Sequence, residues 1–172
     1  LSESQDLSLV INSSASKPEP NLDKVGLRET LCATGSALTG AGYVYTNCLG
    51  LESGYAAFEG GAIYAENGEV THKSERYSMA DVTYSSAVMS LPSPEKGEPH
   101  VVIEHDFKAK DKGENKGAPA EWESLNTREM EEITRNTCLW LRDYLNKSEQ
   151  QGFFISLSGG ADSAYGAVMI SQ

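Results

Sequence analysis

Three apolar residues, Phe153-Phe154-Ile155, lead into Ser156-Leu157-Ser158-Gly159-Gly160-Ala161-Asp162-Ser163, and Ala164, Tyr165, Ala167, Val168, Met169 and Ile170 follow. The order predicts a strand, a tight Gly-Gly turn and a helix. That order builds an anion site. Two glycines let the backbone approach a ligand and accept positive φ, while the first turn of the helix offers unpaired N–H groups and the positive end of its dipole. Ser158 and Ser163 add hydroxyl donors, so the loop is a nest shaped for phosphate. No Gly-Lys-Ser/Thr follows, which excludes the P-loop of kinases and GTPases.

The rest of the chain carries organisation. Val25, Leu27, Leu31 and Leu38, interrupted by Gly35, predict a helix over about residues 23–37 packed on a sheet through those side chains. Residues 43–47 and 61–65 read as strands, Asn67-Gly68 as a type I′ turn, and residues 70–73 as the return strand. Leu91-Pro92-Ser93-Pro94 breaks regular structure, residues 101–107 read as a short extended piece, and residues 108–117 form a solvated Lys/Asp/Glu/Gly run. A domain boundary belongs there. Another helix starts near Asn126 or Thr127, with Asn126 as cap and Glu129 closing a capping box. Met130, Ile133, Thr137, Leu141, Tyr144 and Leu145 fall on its dry face, and Glu129, Glu131, Glu132, Arg135 and Arg142 on its wet one.

Composition narrows the partners. A net charge of −11 leaves no basic stripe for nucleic acid or an anionic membrane. No apolar run reaches membrane-spanning length, and no signal peptide is visible. Three cysteines at unpatterned spacings fit a reducing compartment, with cytoplasm the default. Cys32, Cys48 and Cys138 all read as small packed side chains. His72, His100 and His105 share no metal-ligand spacing with any Cys or paired His, so no metal site is expected from them.

The loop at 158–163 resembles the S-G-G-x-D-S loop of the ATP pyrophosphatase (PP-loop) superfamily, matching at Ser158, Gly159, Gly160, Asp162 and Ser163. The run from Cys138 to Phe154 resembles the segment ahead of that loop in glutamine-dependent NAD synthetases of the long, eukaryotic kind. Earlier, Asn12-Ser13-Ser14-Ala15-Ser16, Tyr43-Val44-Tyr45-Thr46-Asn47 with Gly50, and Phe58-Glu59-Gly60-Gly61-Ala62 resemble stretches of the nitrilase-type glutaminase domain of the same enzymes. The resemblance thins between about Leu91 and Ala120.

That resemblance implies an α/β chain in three parts. Residues 1–90 would be the C-terminal part of a nitrilase (CN-hydrolase) glutaminase domain, half of an α-β-β-α sandwich. Residues 91–120 would be an interdomain linker. Residues 121–172 would open a PP-loop domain of the adenine nucleotide α-hydrolase-like kind. The implied activity is that of an ATP-dependent C–N ligase making NAD from deamido-NAD, ATP and glutamine, with AMP and pyrophosphate released. ATP would lie on Ser156, Leu157, Ser158, Gly159, Gly160, Ala161, Asp162 and Ser163, with Ser158 as the catalytic position, Mg²⁺ accompanying the nucleotide, and Ser14 and Ser16 contacting glutamine. Partners would be these small molecules, with homo-oligomers of the intact enzyme and neither nucleic acid nor membrane. Lys17-Pro18 stands where the family often has His-His, and Cys48 where it has Gln, which bears on glutamine affinity. The chain has no initial Met, eleven residues precede Asn12 and nine follow Ser163. The family's Glu, Lys and Cys triad would lie outside it, so an internal piece of a longer enzyme is expected, inactive by itself. The alternatives are another PP-loop amidotransferase, or a catalytically dead interaction module.

Overall fold

A computed structural model describes residues 7–19, 22–52, 56–93, 114–115 and 117–171. Its main sheet grows from a β-α-β unit. Strand β1 (Leu9–Ser14) starts with the apolar Leu-Val-Ile that favours extended backbone, helix α1 (Lys24–Thr39) crosses over, and β2 (Gly42–Asn47) returns parallel to β1. The register sets Leu9 against Gly42 and Ser14 against Asn47, so both strands end at the same edge. Strands β5 (Ala62–Glu66) and β6 (Glu69–Lys73) extend the sheet antiparallel, in the order β1-β2-β5-β6. Asn67 at φ 51° and Gly68 at φ 86° give their hairpin the two left-handed residues of the predicted turn. Between β2 and β5 the chain makes a separate antiparallel pair, β3 (Leu49–Glu52) and β4 (Ala56–Glu59), which the sequence pattern did not announce.

Helix α1 forms where the apolar spacing puts it, and Asp23 accepts the Gly26 N–H at 3.1 Å as its cap. The face it buries is not the leucine one. Arg28, Cys32 and Ser36, four residues apart, point into the protein, whereas Leu27 and Leu38 are 62% and 78% exposed. Cys32 packs with Tyr45, Ile63 and Ala65, flanked by Tyr43 and Val70. Small side chains let the helix sit close. A Cβ on Gly35 would meet the Tyr43 ring at 2.7 Å, and the buried Ser36 Oγ takes the Gly68 N–H at 2.9 Å, tying helix to hairpin turn.

The second core gathers Ala57, Tyr77, Trp122 and Leu139, between β4, a 3₁₀ turn at Glu121–Ser124 and helix α2 (Arg128–Lys147). Here too the dry face was misplaced. Met130, Ile133 and Tyr144 are exposed, Cys138 and Leu139 are buried, and two of the charges expected in water, Glu132 and Arg135, join the docking contacts. Arg76 reaches Glu123 at 2.8 Å and Glu132 at 2.7 Å, and its guanidinium lies 5.2 Å from the Trp122 ring, which Arg135 also approaches at 4.8 Å. Asp143 accepts the Leu51 N–H at 2.8 Å, and Lys147 donates to the Leu51 carbonyl. The Asn126 capping box is not made. The cap residue is Thr127, without a side-chain hydrogen bond, and Glu123 instead accepts the Ala120 N–H at 3.3 Å.

Past α2 the structure corrects the strand expected at Phe153-Phe154-Ile155: residues 152–158 form neither strand nor helix. A strand exists by pairing, and no described strand lies beside this one. Phe154 is 97% exposed. Helix α3 (Ala161–Ser171) follows as predicted and leans on α2 through Met169 and Cys138. The extended piece at 101–107, His100 and His105 lie outside the described residues. Within the run expected to be only solvated, β8 (Glu114–Asn115) pairs with β7 (Thr83–Tyr84) in parallel. Among the described residues no helix is long and apolar enough to cross a membrane.

Candidate functional site

The loop ahead of α3 folds into a small hydroxyl clasp. Gly159 takes φ 84°, a conformation that a side chain would strain, and a Cβ there would meet no atom within 4 Å, so conformation rather than space requires glycine. The turn brings Ser158 Oγ within 3.2 Å of Ser163 Oγ. Gly160 N–H points to Ser158 Oγ at 3.4 Å, Ser163 Oγ donates to the Gly160 carbonyl at 3.0 Å, and Ala164 N–H takes the same carbonyl at 3.1 Å to start α3. Ser156, Leu157, Gly159, Ala161 and Asp162 are exposed around the clasp, and Asp162 sits in the first helical turn. The loop is open to a ligand, with free helix N–H groups at its head.

A second constellation forms at the shared carboxyl edge of β1 and β2, the end at which open α/β sheets receive ligands. Ser14 closes β1, its carbonyl accepting the Cys48 N–H at 2.9 Å. Two residues on, Ser16 is held from several directions. Its N–H donates to Asn47 Oδ1 at 2.9 Å, and its carbonyl accepts from Asn47 Nδ2 at 2.9 Å and from one terminal nitrogen of Arg28 at 3.1 Å. That same nitrogen donates to Ser16 Oγ at 2.9 Å. The other terminal nitrogen of Arg28 pairs with Glu59, a carboxylate only 1% exposed. Burial pulls the Arg28 guanidinium below its ordinary range, with neighbouring Tyr45 opposing. Burial acts the same way on Arg76, but Glu123 and Glu132 outweigh it, and its net shift is upward. Between the two arginines lies a cavity of about 20 Å³ that Tyr45, Glu59 and Gly61 also line.

The serines singled out at 14 and 16 both lie at the carboxyl end of β1, and Ser158 and Ser163 meet in the clasp. Arg28 and Glu59 were not singled out as site residues. A signal existed: an acid at the end of the apolar Ala56-Ala57-Phe58 must find a cation once buried, and Arg28 heads the small-residue stripe of α1. Cys48, read as packed, is exposed, while Cys32 and Cys138 are buried.

No family model matches the chain. Relatives do. It is 30% identical to the glutamine-dependent NAD(+) synthetase of Drosophila melanogaster over 94% of its own length and 22% of that protein, and 30% identical to the Mus musculus enzyme over 87% and 23%. The crystal structure of a glutamine-dependent NAD(+) synthetase from Cytophaga hutchinsonii superposes with a TM-score of 0.64 at 27% identity, covering 95% of this chain and 22% of that one. The Acinetobacter baumannii enzyme in complex with ADP, at 19% identity and a TM-score of 0.60, shares the fold. The chain thus spans about a quarter of the length of these proteins. Matched along nearly all of itself, the chain is homologous to one stretch of these longer glutamine-dependent NAD(+) synthetases.

Proposed function

We propose that this chain works within a glutamine-hydrolysing NAD synthase, with residues 1–90 in a nitrilase-type glutaminase unit, 91–120 linking, and 121–172 opening a PP-loop synthetase unit. The observation that carries the reading is the clasp of Ser158, Gly160 and Ser163 around a left-handed Gly159, on a chain aligned with these enzymes through both halves. The β and γ phosphates of ATP would lie on the backbone N–H groups from Ser158 to Ser163, with Ser156 and Leu157 flanking. An adenine nucleotide in a solved protein of this fold supports that choice.

In the reaction, a carboxylate oxygen of deamido-NAD attacks the α phosphorus, the bond between the α phosphorus and the bridging oxygen breaks, and pyrophosphate leaves. Ammonia from the glutamine side chain then attacks the adenylated carbonyl, and AMP departs with the bonding electron pair. Donors fixed at the loop stabilise the charge that builds on pyrophosphate, and Ser158 is the hydroxyl we assign to that task. Asp162 is the carboxylate of the loop, and among the described residues no group of three His, Cys, Asp or Glu could cage a metal ion. A single carboxylate suits Mg²⁺, which would come with the nucleotide, and Asp162 would supply one oxygen to it. Bound there, the ion would neutralise phosphate charge. At the other edge, Ser14 and Ser16 would contact glutamine. A cytoplasmic homo-oligomer is the form proposed for the whole enzyme.

The test is Ser158→Ala in the full-length polypeptide that carries this chain. Removing one transition-state donor should lower kcat by about 100-fold to 1,000-fold with glutamine and with free ammonia alike, since both nitrogen sources share the ATP step. AMP and pyrophosphate should appear in step with NAD. Formation of ADP and orthophosphate instead would sink the proposal.

A further inference from the structure

We infer that Arg28 is a positioning residue that turns Ser16 into a dedicated hydrogen-bond donor for an acceptor oxygen, carboxylate or carboxamide, of a small amino-acid ligand. This rests on the glutamine-dependent reading of the β1-β2 edge and adds to it a residue that the sequence resemblance does not assign.

The argument starts from donor and acceptor chemistry. A guanidinium nitrogen donates and cannot accept. Since Arg28 reaches Ser16 Oγ at 2.9 Å, the hydroxyl must be the acceptor in that bond. Its own proton is left over, and among the described residues no acceptor takes it. The backbone of Ser16 is likewise committed, its N–H to Asn47 and its carbonyl to Asn47 and Arg28. Of the groups on this residue, only the hydroxyl proton remains to offer. A half-buried loop residue pinned through three of its groups, with one donor unspent, is built to present that donor.

Arg28 is itself fixed. Its side chain is buried, Glu59 holds one terminal nitrogen, and its guanidinium carbon stands 5.8 Å from the Tyr45 ring. Glu59 leads into Gly60 at φ 70° and Gly61 at φ 86°, so the backbone behind the carboxylate is set by residues without side chains. The planar fork spans two partners at once, Glu59 on one arm and Ser16 on the other. Lysine, a single point on a flexible stem, cannot reproduce that span. The neighbouring positive charge also polarises the Ser16 hydroxyl toward donation, which suits a carbonyl or carboxylate oxygen and disfavours an ammonium.

The experiment is a double-mutant cycle of Arg28→Lys and Ser16→Ala in the full-length polypeptide, read by KM for glutamine and by the ratio of glutamine-supported to ammonia-supported synthesis. Each single change should raise KM for glutamine by about 10-fold to 100-fold, the size of one charge-assisted hydrogen bond, and depress the ratio. The double variant should be little worse than Ser16→Ala, because Arg28 acts through that hydroxyl. Additive effects, or an unchanged KM in Arg28→Lys, overturn the inference. Backbone amide exchange at Ser16 gives a reading free of any ligand: it should accelerate in Arg28→Lys, and unchanged exchange is equally fatal. If Arg28→Lys does not fold, Glu59→Gln, which loosens the guanidinium without deleting it, takes its place with the same expectations in milder form. A wild-type protein that makes NAD from ammonia but never from glutamine would bring down the proposed glutamine chemistry, while the exchange measurement would still decide whether Arg28 holds Ser16.

Discussion

The three thiols separate by burial and not by sequence context. Cys32 is fully enclosed, and burial lifts its thiol to about 11, with Glu29 adding to the rise. Burial also raises Cys138, against a smaller pull from Arg135. Cys48 is exposed. At pH 8 the Cys32 thiolate is then about one part in a thousand, and it is shielded as well. A thiol reagent should therefore label one cysteine per folded chain, at position 48, and all three after denaturation. Prompt labelling of Cys32 in the folded protein, located by peptide mapping, would contradict the packing described for α1. Cys48 also marks a limit of reading by residue type. Read as a small packed side chain following the strand at 43–47, it stands instead in the gap between two sheets, where alternation stops counting.

Both long helices, α1 and α2, were legible from their periodicity, but several side chains that the pattern chose for the core are exposed, Leu27 and Leu38 on α1 and Met130, Ile133 and Tyr144 on α2. The reason is physical. A helix that docks through arginine and glutamate buries charge in matched pairs, and matched pairs have no hydropathic signature until the partner is known. Strand β5, its hairpin turn and β6 were legible because Asn-Gly demands a left-handed conformation whatever the tertiary context. The strand at 153–155 was over-read, since an apolar run predicts burial but not the neighbour it pairs with. These faces yield a paired expectation. Arg76→Met should cost about 3–5 kcal/mol, because it leaves the carboxylates of Glu123 and Glu132 without their cation, whereas Met130→Ala, at a site 73% exposed, should stay within about 0.5 kcal/mol. Denaturant unfolding followed by tryptophan fluorescence measures both. The reverse order would mean that α2 docks by its methionine face.

At the scale of the whole molecule, apolar surface remains on several sides: Ile11 on β1, Leu27 and Leu38 on α1, and Phe154, Leu157, Tyr165 and Val168 around the loop of Ser158 to Ser163. A monomer rarely leaves so many large side chains in water. The 172-residue chain in isolation should bind an apolar dye strongly and self-associate, detected by fluorescence and light scattering. A monodisperse monomer that excludes the dye and unfolds sharply would show that these surfaces are tolerated. The sheet order carries one more consequence, for assembly in time. The hairpin of β5 and β6 closes over two residues and can form within microseconds of its synthesis. Strand β1 leaves the ribosome before the other strands of its sheet, yet its partner β2 lies beyond the entire helix α1. It must therefore wait for β2 until that helix has been made, and the residues it places at the β1-β2 edge acquire their geometry only when that delayed closure is complete.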